Sequence, residues 1–96
     1  MNNENIEICK DIYTYYGVES QYRKLKEEIE ELANENARDT EYPDIEMIDE
    51  MADVYIMLCQ HYYNMPVFRD QVRLKVERQI DRIKKGDDYV KKNITR

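Results

Sequence analysis

The chain has 96 residues and holds only two glycines, two prolines and two cysteines. So few helix breakers argue against a chain of many turns and suit helices joined by few connections. Cys9 and Cys59 lie far apart and form no CxxC pair. That spacing argues against a disulfide scaffold and reads as two small buried hydrophobes in a reducing compartment. No apolar run approaches the roughly 18 residues that a membrane helix needs. The Asn/Glu-rich start shows no basic region followed by an apolar stretch, so no secretory signal is expected, and the expected location is the cytoplasm. Basic residues are also short, 15 against 21 acidic, for a net charge of −6. Duplex nucleic acid needs a basic surface, so it is not expected as a partner. A small phosphorylated substrate reached through a metal stays open. There is no internal repeat, no low-complexity tract and no period-two run long enough for a strand.

Charged residues make up 38% of the chain and the hydrophobic class 42%; the apolar residues are patterned, so an ordered domain is expected. The length suits one domain, residues 1–96, with a modest core, and size alone allows an oligomer. The patterning predicts four helices. The first runs from about Asn5 to Tyr16 and stops near Gly17. The second runs from about Val18 to Ala37, with Tyr22, Leu25, Ile29 and Leu32 as its apolar stripe. Glu28 lies beside that stripe and Glu31 further round. A polar connection, 38–43, leads to Asp44, which reads as the N-cap of a helix ending near Asn64. One face of this helix carries Ile48, Met51, Ala52, Tyr55, Leu58, Cys59 and Tyr62. Roughly opposite lie Glu50, Asp53, Met57 and His61, with Met47 and Val54 at the edge. Pro66 ends the segment by disfavouring helix in the residue before it. The last helix is expected from about Phe68 to Lys85, with Val72, Val76, Ile80 and Ile83 inward and Gly86 as its stop. Residues 87–96 read as a frayed tail.

Two acidic pairs share one spacing. Glu28 with Glu31, and Glu50 with Asp53, are each i, i+3 within a helix, so the carboxylates of a pair share a side. Asp53 is the only charge in the stretch from Met51 to Cys59, and a buried lone carboxylate is costly unless something positive meets it. If the two helices face each other, four carboxylates converge. Like charges about 4 Å apart repel by roughly 4 kcal/mol at an effective dielectric near 20. A divalent cation relieves that repulsion, and Mg²⁺ suits oxygen ligands and substrate phosphates, with Mn²⁺ as a substitute. Taken singly, an acidic run such as Lys26 to Glu31 reads as a solvated face. The repetition on consecutive helices gives the metal reading its weight.

A basic stripe follows. Lys75, Arg78 and Arg82 fall at i, i+3, i+7 on the last helix. Arg forks and a Lys point charge match phosphate oxygens. A surface face paired with Glu77 and Asp81 is the plainer reading of the same residues. His61 lies two turns beyond Asp53, where a structural ring and a base or ligand are both open. The nine tyrosines read mostly as packing, although Tyr15, Tyr16 or Tyr22 could stack on a base.

Glu27-Glu28-Ile29-Glu30-Glu31-Leu32 and Asp49-Glu50-Met51-Ala52-Asp53-Val54 resemble the EExxE and ExxD motifs of the MazG-like, all-α nucleoside triphosphate pyrophosphohydrolases. Gly17-Val18-Glu19-Ser20-Gln21 resembles the lead-in to the first motif, and the stretch Lys75 to Arg82 resembles the basic last helix. The match covers roughly 16–86. The resemblance implies a four-helix bundle completed by a homodimer or homotetramer. It also implies Mg²⁺-dependent cleavage between the α and β phosphates of a (deoxy)nucleoside triphosphate. By motif position Glu28, Glu31, Glu50 and Asp53 would be metal ligands and catalytic groups, and Glu27 would stand outside them. Lys75, Arg78 and Arg82 would hold phosphates, and Gln21 and Gln79 would contact the nucleotide. Gln79 takes the place of an Asn in many relatives, and the loop before the second motif lacks the aromatic base pocket of deoxycytidine-preferring members. Two alternatives stand beside this reading. One is a non-catalytic helical interaction module with solvated acidic faces. The other keeps the fold but takes a phosphoribosyl-ATP-like or alarmone substrate.

Overall fold

The computed structural model describes residues 1–38 and 41–86. Among the described residues there are four α-helices and no strand. None of the helices is long and apolar enough to cross a membrane. The expected tail at 87–96 lies outside the described residues.

Helix α1 spans Asn3–Tyr16. Asn2 caps it, its side-chain oxygen accepting the Asn5 N–H at 2.8 Å. Such a cap satisfies one of the donors that a helix start leaves free. Gly17 ends α1, donating its N–H to the Tyr13 carbonyl at 2.9 Å. Its φ of +88° and ψ of 155° lie where side-chain-bearing residues are strained. A Cβ there would meet nothing within 4 Å, so the backbone conformation, not crowding, calls for glycine. Helix α2, Val18–Asn36, begins at the next residue.

Arg38 ties the end of α2 to the start of α3. Its guanidinium meets Glu35 at 2.7 Å, Asp44 at 2.7 Å, and Glu46. Asp44 also caps α3, Ile45–Asn64, by accepting the Met47 N–H at 3.0 Å. Helix α3 ends at Met65, which is extended, as a residue before proline should be. Helix α4, Pro66–Lys84, starts two residues earlier than expected. Proline is well suited to a first helical position, because its missing N–H would have no partner there anyway.

The chain divides into two compact units, Met1–Met65 and the part from Pro66 onward. In the first, α3 is central and packs against both α2 and α1, which touch each other less. Its core is small and half polar. Cys9, Val54, Met57 and Cys59 are buried, and so are Gln21, Glu28, Gln60 and His61. Both cysteines are free thiols. Burial, helped by nearby Cys59, pushes the Cys9 thiol above its ordinary value.

The inward faces differ from those the apolar pattern suggests. In α2 the buried residues are Gln21 and Glu28, while Tyr22 and Ile29 are about half exposed. In α3, Glu50, Asp53, Val54 and Met57 turn inward, and Ile48, Met51 and Tyr55 stay outside. Only toward the C-terminal half do both faces become covered, with Cys59, Gln60 and His61 buried together. In α4, Val76, Ile80 and Ile83 keep about half of their surface.

Candidate metal centre

Leu25, Glu28 and Leu32 follow a helical spacing on α2 that points at α3, and Glu28 is the most buried of them. Glu50 and Asp53 sit one turn apart on the facing side of α3, both half-buried. The result is a group of three carboxylates, Glu28, Glu50 and Asp53, each offering one oxygen, and these three oxygens lie within 4.8 Å of one another. The Arg38 clamp and the Asp44 cap set where α3 begins, and so fix the height of Glu50 against Glu28.

Glu28 is only 7% exposed. One of its oxygens, Oε1, is paired with Lys24 Nζ at 3.1 Å. Its other oxygen and the Oε2 of Glu50 are buried without a hydrogen-bond partner among the described residues. Buried polar atoms are rarely left so, and each orphan asks for a missing partner. Burial first, then the charges of Glu31, Asp53, Asp49 and Glu28, raise the Glu50 carboxyl above its ordinary range. A cleft of about 290 Å³ lined by Glu35, Glu46, Asp49 and Glu50 opens beside it. The donor set is all oxygen and negatively charged, which suits Mg²⁺ or Mn²⁺ and not a soft metal. Three carboxylates would leave a divalent cation further coordination positions for water.

Glu31 is exposed and stands outside the group of three. Its i, i+3 offset from Glu28 turns it about 60° round α2. It is still near enough for its charge to act on Glu50. Glu27 is also outward, 3.8 Å from Lys24. Lys75, Arg78, Gln79 and Arg82 are exposed on α4, in the second unit, whereas the carboxylate group is built wholly from the first.

His61 is buried, about 12 Å along the α3 axis from Asp53. Tyr13 meets its ring edge-on at 5.2 Å and Tyr22 at 6.4 Å. Its Nε2 has no hydrogen-bond partner among the described residues. Gln21 Nε2 donates to Gln60 Oε1 at 2.6 Å, and Gln60 Nε2 donates to Met57 Sδ at 3.7 Å. Beside Gln21 a cavity of about 440 Å³ opens, lined also by Tyr16, Arg23, Lys24 and Met57.

Sequence reasoning missed Lys24, Arg23 and Gln60. The Lys24–Glu28 pair was visible as an i, i+4 spacing of opposite charges. Gln60 gave no signal, because a glutamine acquires a role only from what the fold sets opposite it. No known family model, curated protein or solved structure matches the chain.

Proposed function

We propose that this chain is a Mg²⁺-dependent nucleoside triphosphate pyrophosphohydrolase of the MazG-like kind its two acidic motifs resemble. The observation that carries the reading is the pair of buried oxygens, Glu28 Oε2 and Glu50 Oε2, that lack a hydrogen-bond partner among the described residues and lie within a group of three carboxylates. Glu28, Glu50 and Asp53 would hold the cation. When bound, Mg²⁺ supplies charge neutralisation for the triphosphate and a more acidic water.

The chain's own residues do the rest. Glu31, exposed beside the group, is the carboxylate left to accept a proton from the attacking water. Water adds to the α-phosphorus and the bond from that phosphorus to the bridging oxygen breaks. Nucleoside monophosphate and pyrophosphate leave. By the resemblance, Lys75, Arg78 and Arg82 would hold phosphates and Gln79 would contact the nucleotide. Positioning and electrostatics would supply most of the rate, as in other phosphoryl transfers.

A homodimer or homotetramer belongs to the same proposal. The first unit buries only four apolar side chains, none of them completely, and leaves Ile29, Ile48, Met51 and Tyr55 about half exposed. So small a core gains most from a second copy that covers those faces.

The test is a panel of ribo- and deoxynucleoside triphosphates incubated with the protein and Mg²⁺, with the products separated. Monophosphate plus pyrophosphate, lost with EDTA and in Asp53→Asn, supports the reading and ranks the bases. No turnover of any triphosphate, with Mg²⁺ or Mn²⁺, would shift it to another phosphorylated substrate or to an interaction module.

A further inference from the structure

The cavity beside Gln21 holds two cations in different states. Arg23 lines it and makes no ion pair with the described residues. Lys24 lines it too, but its ammonium is turned to Glu28 Oε1 at 3.1 Å. That carboxylate belongs to the group of three. Lys24 and a divalent cation would therefore share one carboxylate, Lys24 at Oε1 and the cation at the unpartnered Oε2. A cation there repels the ammonium, and the Lys24 side chain, 51% exposed on a flexible stem, is free to turn away. Glu27 also lines the cavity, 3.8 Å from Lys24, and its charge opposes any anion. With Lys24 held between Glu28 and Glu27, its charge is shared by two carboxylates, and Arg23 is the cation left over. With Lys24 released, two cations face one carboxylate.

We propose that this cavity is a conditional anion site. Arg23 and Lys24 receive the phosphates of a polyphosphate ligand there, and Lys24 becomes available when a divalent cation takes Glu28. The inference rests on the metal reading above and adds two phosphate-binding residues on α2 itself. It makes cation and polyphosphate bind with positive coupling, each raising the affinity for the other by the same factor.

The experiment uses the full chain, with Mn²⁺ and inorganic pyrophosphate as probes. Mn²⁺ binding is followed by electron paramagnetic resonance without anion. Pyrophosphate binding is followed by calorimetry with and without saturating Mg²⁺, and circular dichroism confirms that each variant is folded. Pyrophosphate should bind the wild type more tightly with Mg²⁺ than without. Arg23→Gln should weaken that binding about tenfold, the size expected for one charge-assisted hydrogen bond, and leave Mn²⁺ affinity almost unmoved. Lys24→Met should weaken pyrophosphate binding similarly while tightening Mn²⁺, because a repelling charge is gone. That opposite response is one a merely structural Lys24 would not give. If the wild type binds Mn²⁺ but neither substitution moves pyrophosphate affinity, or if only Lys75, Arg78 and Arg82 matter to it, this inference fails alone. If the wild type binds no Mn²⁺, the metal reading fails and takes this one with it.

Discussion

Gln21 and Gln60 join α2 to α3 through a single side-chain hydrogen bond of 2.6 Å, with both residues almost fully buried. A buried amide that loses its partner pays its whole desolvation cost. Gln60→Ala should therefore destabilise the chain by about 1–3 kcal/mol, read as a lower urea midpoint. The double variant Gln21→Leu/Gln60→Leu should recover part of the loss, because neither side then leaves an unpaired amide.

Gly17→Ala should cost about 1–3 kcal/mol, the usual strain of a side chain forced into such a glycine-only region. The α1–α2 connection is this one residue, so the chain has no neighbouring loop in which to relax. Circular dichroism should still show helix, while chemical denaturation shows the loss.

Without a divalent cation, the stability should fall as pH rises through the range set by Glu50. Its folded-state value is raised above the ordinary 4.5, so the folded chain holds this proton more tightly than the unfolded one. The associated stability is fully present below 4.5 and is lost as pH climbs through the raised value. Melting temperature in EDTA, followed from that pH toward neutrality, should show the decline. Glu50→Gln should flatten it, and Mg²⁺ should reverse it at neutral pH in the wild type only.

Asp53→Asn should abolish the thermal shift given by Mg²⁺ or Mn²⁺ and leave the helices formed. The apo variant should be at least as stable as the wild type, since one of three crowded carboxylates has become neutral. A full Mg²⁺ response in Asp53→Asn would remove Asp53 from the ligand set.

The end of α1 and both ends of α3 were legible because their chemistry is local. Gly17 stops a helix by its backbone freedom, Asp44 starts one by accepting an N–H, and Pro66 acts on the residue before it. The faces were not legible. Tyr22, Ile29, Ile48 and Met51 form good apolar stripes, but which stripe turns inward depends on what covers the others. Three of the four carboxylates marked by spacing do converge, because Glu50, Asp53 and Glu28 share facing turns. Glu31 shows the limit of the spacing argument. A side shared by two carboxylates is broad enough for one to be buried and the other wet.

The orientation of α3 about its own axis carries a thermodynamic consequence. A half-turn would hide Ile48, Met51, Tyr55 and their neighbours and return Glu50 and Asp53 to water. Judged by solvation of this helix alone, that rotated arrangement is the cheaper one. The observed rotation is thus a choice the isolated helix has least reason to make, and its selection must come from outside the helix. A counter-charge that meets the carboxylates, or a surface that covers the outer apolar face, would tip the balance the same way. Ligation and assembly would then be two votes for one rotational state of α3, and losing either would loosen the other.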